Sequence, residues 1–97
     1  MSRNALNKRI RRIWLCADDY GMAPGVNDAI RRLIASRRIN ATSVMTAAGH
    51  LDRDQAEALV EANGDGNAAI GLHITLTTPF KPLSPNFAPL RGGAFLP

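Results

Sequence analysis

The feature that most constrains the fold is an alternation of short apolar segments with amphipathic ones. Three segments rich in apolar and β-branched residues predict strands, at 11–17, 41–48 and 68–76. Two segments between them repeat apolar residues at the three- and four-residue spacing of a helix, at 24–38 and 51–64. Because connections of this length cross over between strands that run the same way, the sequence predicts an α/β fold with a parallel β-α-β-α-β order.

Several residues mark the ends of the predicted helices and the turns around them. Pro24 is well placed at the start of the first helix. Asp52, followed three residues later by Gln55, predicts the N-cap of the second helix. We expect Gly21 and Gly25 to serve the backbone geometry of the turn before the first helix.

The positive charge of the chain does not predict a nucleic-acid partner. Much of the formal net charge of +4 lies in 8–12, 31–32 and 37–38. The last two clusters fall on and just after the first predicted helix, where arginine is a good helix former, and we interpret them as solvated surface. One Trp, one Tyr and three Phe are too few and too scattered to form stacking platforms for bases.

The sequence favours a cytoplasmic protein. No apolar stretch approaches the length of a membrane span. The basic segment 1–10 is predicted to be a loose tail, and it resembles neither a signal peptide nor an anchor. The single cysteine, Cys16, cannot form an internal disulfide, so a reducing compartment is expected.

The predicted sheet is too small to stand as a finished domain. Three parallel strands leave two unpaired edges, and parallel sheets are normally covered on both faces. We therefore expect 11–97 to be the N-terminal portion of one larger α/β domain, with 78–97 as a proline-rich loop. We expect such a portion to be inactive alone and to associate through its open edges or faces, so a homo-oligomer is predicted.

Acidic and imidazole side chains follow two of the predicted strands. Asp18 and Asp19 follow the first strand, and His73 lies near the end of the third. The carboxyl ends of parallel strands face the same side of a sheet, where chemistry collects. A divalent cation would remove the repulsion between the two acids and leave one carboxylate as a base. Because neighbouring strand residues point to opposite faces, the acids share a site only if the strand turns there, as the following Tyr20-Gly21 allows.

Other interpretations of these residues remain open. The acid pair also fits an N-cap cluster, or the acidic pocket of a small receiver-like α/β metal-binding module without hydrolytic activity. A receiver would place an aspartate at the end of the third strand, and 71–78, "GLHITLTT", contains none. His73 also fits an ordinary core or edge histidine. His50 is a rival ligand, but its turn with Gly49 predicts that it faces solvent.

The remaining candidates have structural explanations. Trp14 and Cys16 are expected to pack rather than react. Tyr20 is interpreted as an aromatic residue at the rim of the site, with substrate contact as the alternative. Thr75 and Thr77 share the parity of His73 along the third strand, so lining a pocket is kept as an alternative for them.

Three separated segments carry a family resemblance. They are "ADDYGMAPGVNDAI" at 17–30, "TSVM" at 42–45 and "IGLHITLT" at 70–77, and the tail "PLRGGAFLP" at 89–97 matches as well. With these segments in this order, the chain resembles the YdjC-like carbohydrate deacetylases, a group that includes chitooligosaccharide deacetylases and hopanoid-biosynthesis-associated relatives. The resemblance spans 12–97.

The resemblance implies a fold, a reaction and roles for three residues. It implies the first part of an irregular TIM-like barrel and metal-dependent removal of acetyl groups from an N-acetylated sugar. By position, Asp19 and His73 would be metal ligands and Asp18 the catalytic base. Carboxylate and imidazole ligands suit Mg²⁺ or Zn²⁺ alike. The family uses a further histidine well downstream, beyond the last residue here, Pro97.

Overall fold

The computed structural model describes residues 9–75 and 83–86. Five elements follow one another in the order that the sequence predicts, and each is somewhat shorter than its predicted segment. They are β1 (Cys16–Tyr20), α1 (Pro24–Ala35), β2 (Ala41–Met45), α2 (Arg53–Ala62) and β3 (Ala69–His73). In the part of the chain that the structure describes, no helix has the length and apolar character needed to cross a membrane.

The three strands form one parallel sheet in the order β1-β2-β3. The predicted parallel α/β arrangement is therefore confirmed. Strands that pair in chain order occur in a (β/α) barrel and also in the first half of the Rossmann order, 3-2-1. In the flavodoxin-like order, by contrast, the first strand lies between the second and the third. Most of the predicted tail (1–8) and most of the predicted proline-rich loop (78–82 and 87–97) lie outside the described residues.

The core lies between the two helices and one face of the sheet. Its buried members come from both helices, β1 and the connecting loops; they are Tyr20, Ile30, Ile34, Ile39, Leu59 and Ala68. Ala17 and Val44 of the sheet pack against this cluster. Because side chains alternate along a strand, Cys16, Ser43 and His73 lie on the opposite face. No helix of the described chain covers that face.

The first strand begins and ends later than predicted, so Asp18 and Asp19 lie within it rather than after it. The strand begins only after Ile13, Trp14 and Leu15. In the described part of the chain Trp14 is 74% exposed, so the expectation that it packs is wrong. The physical reason lies in Asn40. Its side-chain amide accepts the Leu15 N–H at 2.7 Å and donates to the Ile13 carbonyl at 2.9 Å. One amide group thus occupies the backbone groups that a regular strand would pair with its neighbour.

The helix ends follow the sequence signals. Pro24 is the first residue of α1, as predicted. The Asp52 carboxylate caps α2 by accepting the Gln55 N–H at 2.8 Å, also as predicted.

Two residues that were expected at the surface or the rim are instead part of the interior. Tyr20 is completely buried, and its hydroxyl donates to the Gln55 carbonyl at 2.6 Å, so the rim assignment is wrong. Arg31 is only 22% exposed and donates to the Tyr20 hydroxyl at 3.0 Å and to the Gln55 side chain at 2.7 Å. The solvated-surface interpretation holds for its neighbour Arg32, which is exposed and pairs with Asp28 at 3.0 Å.

The two glycines around the turn after β1 differ in what they do. Gly21 has φ +102°, and a Cβ atom there would collide with the carbonyl oxygen of Met45. The expected role in backbone geometry is confirmed for Gly21. It is wrong for Gly25, which lies in the first turn of α1 with no left-handed backbone and with open space where its Cβ would be.

We predict that Gly21→Ala lowers the free energy of unfolding by about 2 kcal/mol or more, because a left-handed backbone and a collision with a main-chain oxygen both oppose it. Gly25→Ala is the matched control. It should change the same quantity by less than about 1 kcal/mol, and in the stabilising direction. Urea denaturation followed by circular dichroism measures both. Equal midpoints for the two variants would contradict the account.

Candidate functional site

A bulge in β1 places the two carboxylates. The pairing register with β2 shifts between Ala17 and Tyr20, so Asp18 and Asp19 together stand opposite the single residue Ser43. Asp19 has φ +76°, a left-handed conformation that is uncommon for a residue with a side chain. The extra residue breaks the alternation of the strand. The turn that the acid pair requires therefore lies within the pair itself, rather than after it.

The three predicted site residues converge at the carboxyl ends of the strands. The Asp19 Oδ1 atom lies 3.1 Å from Nδ1 of His73, which is the last residue of β3. Ser43 donates its hydroxyl to Asp18 Oδ1 at 2.8 Å, and its Oγ atom lies 3.4 Å from His73 Nδ1. Asp18 is exposed and the side chains of Asp19 and His73 are about one-third exposed, so solvent and small molecules can reach the group.

The separation between Asp19 and His73 suits a direct hydrogen bond, and it also suits two ligands of one cation. Ligands about 2.0–2.2 Å from a common ion, at the angles of tetrahedral or octahedral coordination, stand roughly 2.9–3.5 Å apart. The separation of 3.1 Å between the carboxylate oxygen and the ring nitrogen falls in that range. Residues 9–75 and 83–86 contain no cluster of three or more His, Cys, Asp or Glu side chains poised to hold a metal ion. The described residues therefore bring together one carboxylate and one imidazole at this point.

The geometry argues against Ser43 as a nucleophile. In a serine–histidine–aspartate triad the serine and the aspartate contact different nitrogens of the imidazole ring. Here Ser43 and Asp19 both approach the same atom, His73 Nδ1. A proton therefore has no path through the ring from Ser43 to Asp19.

Sequence reasoning missed Ser43 as a member of this site. The residue lies within the segment that carries the family resemblance, but a serine in a strand is ordinary. Its importance comes from its register with the bulge, which pairs two residues of β1 with one of β2. That register cannot be derived from the spacing of apolar residues.

Cys16 lies on the same face, two residues before Asp18. Its Sγ atom is 3.6 Å from Asp18 Oδ1, and the residue is exposed, so the expectation that it packs is wrong. Desolvation raises the pKa of the Cys16 thiol above its usual range. The hydrogen bond to the Asp18 carboxylate and the negative charge of that carboxylate raise it further. The thiol is therefore a reporter of the Asp18 charge.

A buried asparagine holds the backbone next to the bulge. Asn27 of α1 is completely buried; its Oδ1 atom accepts the Gly21 N–H at 2.6 Å. Its Nδ2 atom donates to the His50 carbonyl at 2.9 Å and to Gln55 Oε1 at 3.1 Å. The His50 N–H in turn donates to the Gly21 carbonyl at 3.0 Å. His50 thus acts through its backbone while the residue itself is exposed, as expected. Asn27 has no place among the candidates that the sequence suggests.

Two further candidates remain as predictions. Thr75 is partly buried just beyond the end of β3, and Thr77 lies outside the described residues. A pocket-lining role stays untested for both.

The fold and the site define an α/β protein with a carboxylate–imidazole site at the carboxyl ends of its strands. A family model described as YdjC-like protein matches residues 12–93. The chain belongs to the YdjC-like family, which confirms the predicted resemblance. Membership suggests a function related to carbohydrate deacetylation. No curated protein and no solved structure gave a significant match to the chain.

We predict that Asp18→Asn makes Cys16 easier to alkylate. Removing the negative charge lowers the pKa of the thiol, so more thiolate is present at a given pH and iodoacetamide reacts faster at pH 8. The midpoint of the rate against pH should move to lower pH. Asp28→Asn, which removes a carboxylate from the exposed side of α1, is the control and should leave the rate unchanged. Equal alkylation rates in Asp18→Asn and the parent would contradict the contact between Cys16 Sγ and Asp18 Oδ1.

Proposed function

We propose that the chain carries part of the reactive centre of a larger metal-dependent hydrolase that removes acetyl groups from N-acetylated carbohydrates, and that it is inactive alone. The contact between Asp19 Oδ1 and His73 Nδ1, beside the exposed carboxylate of Asp18, is the observation that carries this proposal. Membership of the YdjC-like family supports the substrate class. The sequential order of the strands supports placing them in a TIM-like barrel.

Asp19 and His73 are the proposed ligands of a divalent cation, Mg²⁺ or Zn²⁺. A carboxylate oxygen suits both ions, and an imidazole nitrogen also suits zinc. When bound, the cation supplies the positive charge that polarises an acetamide carbonyl and favours ionisation of a water. Because the two side chains come from β1 and β3, the sheet fixes their separation.

Asp18 is the proposed general base. Its carboxylate is exposed beside the two ligands, and a carboxylate there accepts the proton of a water that adds to the acetyl carbonyl. The bond between the carbonyl carbon and the amide nitrogen then breaks, and the proton passes from Asp18 to the departing amine. The products are acetate and a free amino sugar.

The receiver-like alternative fits the sheet less well. A receiver has the flavodoxin-like order, with its first strand in the middle of the first three. In this chain β2 lies in the middle. The strand order therefore favours the hydrolase proposal over a binding module of that class.

We predict that Asp18→Asn in the complete enzyme, of which 11–97 are expected to be the N-terminal portion, lowers turnover about 10²–10⁴-fold, the usual contribution of a general base. Cation affinity should stay within about twofold of the parent. Acetate release from a chitooligosaccharide measures turnover, and calorimetric titration with Zn²⁺ measures cation affinity. Asp28→Asn, an aspartate of α1 away from the site, serves as the control. Unchanged turnover in Asp18→Asn would remove Asp18 from the mechanism.

We predict that Asp19→Asn and His73→Ala each weaken Zn²⁺ binding by about a hundredfold or more, because even outer-shell partners of a metal cost 10–100-fold. His50→Ala is the matched control, since it removes the other histidine of the chain. The Zn²⁺ affinity of His50→Ala should equal that of the parent. A larger loss in His50→Ala than in His73→Ala would place the cation elsewhere.

A further inference from the structure

Ser43 links the proposed base to one of the proposed ligands. Its hydroxyl donates to Asp18 Oδ1 at 2.8 Å, and its Oγ atom lies 3.4 Å from His73 Nδ1. The residue is partly buried in the central strand, where it pairs on one side with the bulge and on the other with Gly71. A side chain in a paired central strand is held more firmly than the exposed carboxylate it contacts.

Asp18 needs such a contact to hold one orientation. It is exposed, and it lies at a bulge, where strand geometry constrains a side chain less than in a regular ladder. Its Oδ1 atom accepts the hydroxyl of Ser43 at 2.8 Å and the thiol of Cys16 at 3.6 Å. Within the described residues, Oδ2 has no hydrogen-bond partner. The hydroxyl contact is the shorter and the stronger of the two, because an O–H group donates to a carboxylate better than a thiol does.

We propose that Ser43 is a positioning residue of the hydrolytic site, which holds Asp18 Oδ1 so that Oδ2 accepts the proton of the attacking water. The proposal rests on the proposed function, since it takes Asp18 as the base. Ser43 acts only through Asp18 and makes no bond to the substrate.

The first test compares Ser43→Ala with Ser43→Thr in the complete enzyme, of which 11–97 are expected to be the N-terminal portion. The enzyme is loaded with Zn²⁺, and a chitooligosaccharide is the probe. The alanine variant should lose about tenfold in kcat with KM within about twofold, because the base is misplaced while substrate binding is intact. Threonine should restore most of kcat, since it keeps the hydroxyl and Gly71 opposite it leaves room for the added methyl group. Ser36→Ala, which removes a hydroxyl at the end of α1, should match the parent. Unchanged kcat in Ser43→Ala would overturn the proposal.

The second test asks whether Ser43 acts through Asp18. In the Asp18→Asn background, adding Ser43→Ala should change kcat by less than about twofold, because the effects of two residues that act as one unit do not add. A further tenfold loss in the double variant would show that Ser43 acts independently and would overturn the proposal.

A third measurement does not depend on turnover. Three-bond couplings across χ1 of Asp18, measured by NMR, should report one rotamer in the parent and in Ser43→Thr, and averaging between rotamers in Ser43→Ala. A single rotamer in Ser43→Ala would overturn the positioning role. If the complete enzyme, of which 11–97 are expected to be the N-terminal portion, releases no acetate from the probe, that result counts against the proposed function. The couplings alone then decide whether Ser43 orients Asp18.

Discussion

The bulge at Asp18 and Asp19 is the constraint on which the rest of the site depends. In a regular strand two neighbouring carboxylates would point to opposite faces, and one of them would enter the core. Here one extra residue opposite Ser43 and the left-handed backbone of Asp19 bring both acids to the face without helices. A left-handed conformation costs a residue with a side chain about 1–2 kcal/mol, and aspartate tolerates it better than most. Strain of this kind is typical of functional sites.

The surrounding structure keeps the strand in this conformation. Immediately after the bulge, Gly21 turns the chain, and its N–H group is bound by the buried amide of Asn27. The same amide contacts the His50 backbone and the side chain of Gln55, so one residue joins β1 to both helices. Buried polar groups are costly unless they are paired, and the described residues leave no buried side-chain nitrogen or oxygen without a partner. These paired interior groups hold the backbone beside Asp18, Asp19 and His73.

The arrangement of the elements could be predicted from the sequence, and so could the meeting of Asp19 and His73, because parallel strands end on the same side of a sheet. The start of β1, the burial of Tyr20 and the contact of Ser43 could not be predicted. The late start of β1 depends on the side-chain amide of Asn40, which binds the Leu15 N–H and the Ile13 carbonyl in place of a neighbouring strand. Tyr20 is buried because partners from both helices satisfy its hydroxyl. The contact of Ser43 depends on a one-residue register shift that no periodicity encodes. In each case a few side-chain hydrogen bonds or one choice of register decide the outcome.

The central claim is that one cation is held jointly by Asp19 and His73. Anomalous diffraction from crystals of the full chain grown with Mn²⁺ tests it most directly, because the signal locates the ion without reference to activity. The account predicts one strong peak that lies about 2.0–2.3 Å from both Asp19 Oδ1 and His73 Nδ1. An ion bound elsewhere, with the direct contact between these two atoms left intact, would contradict it.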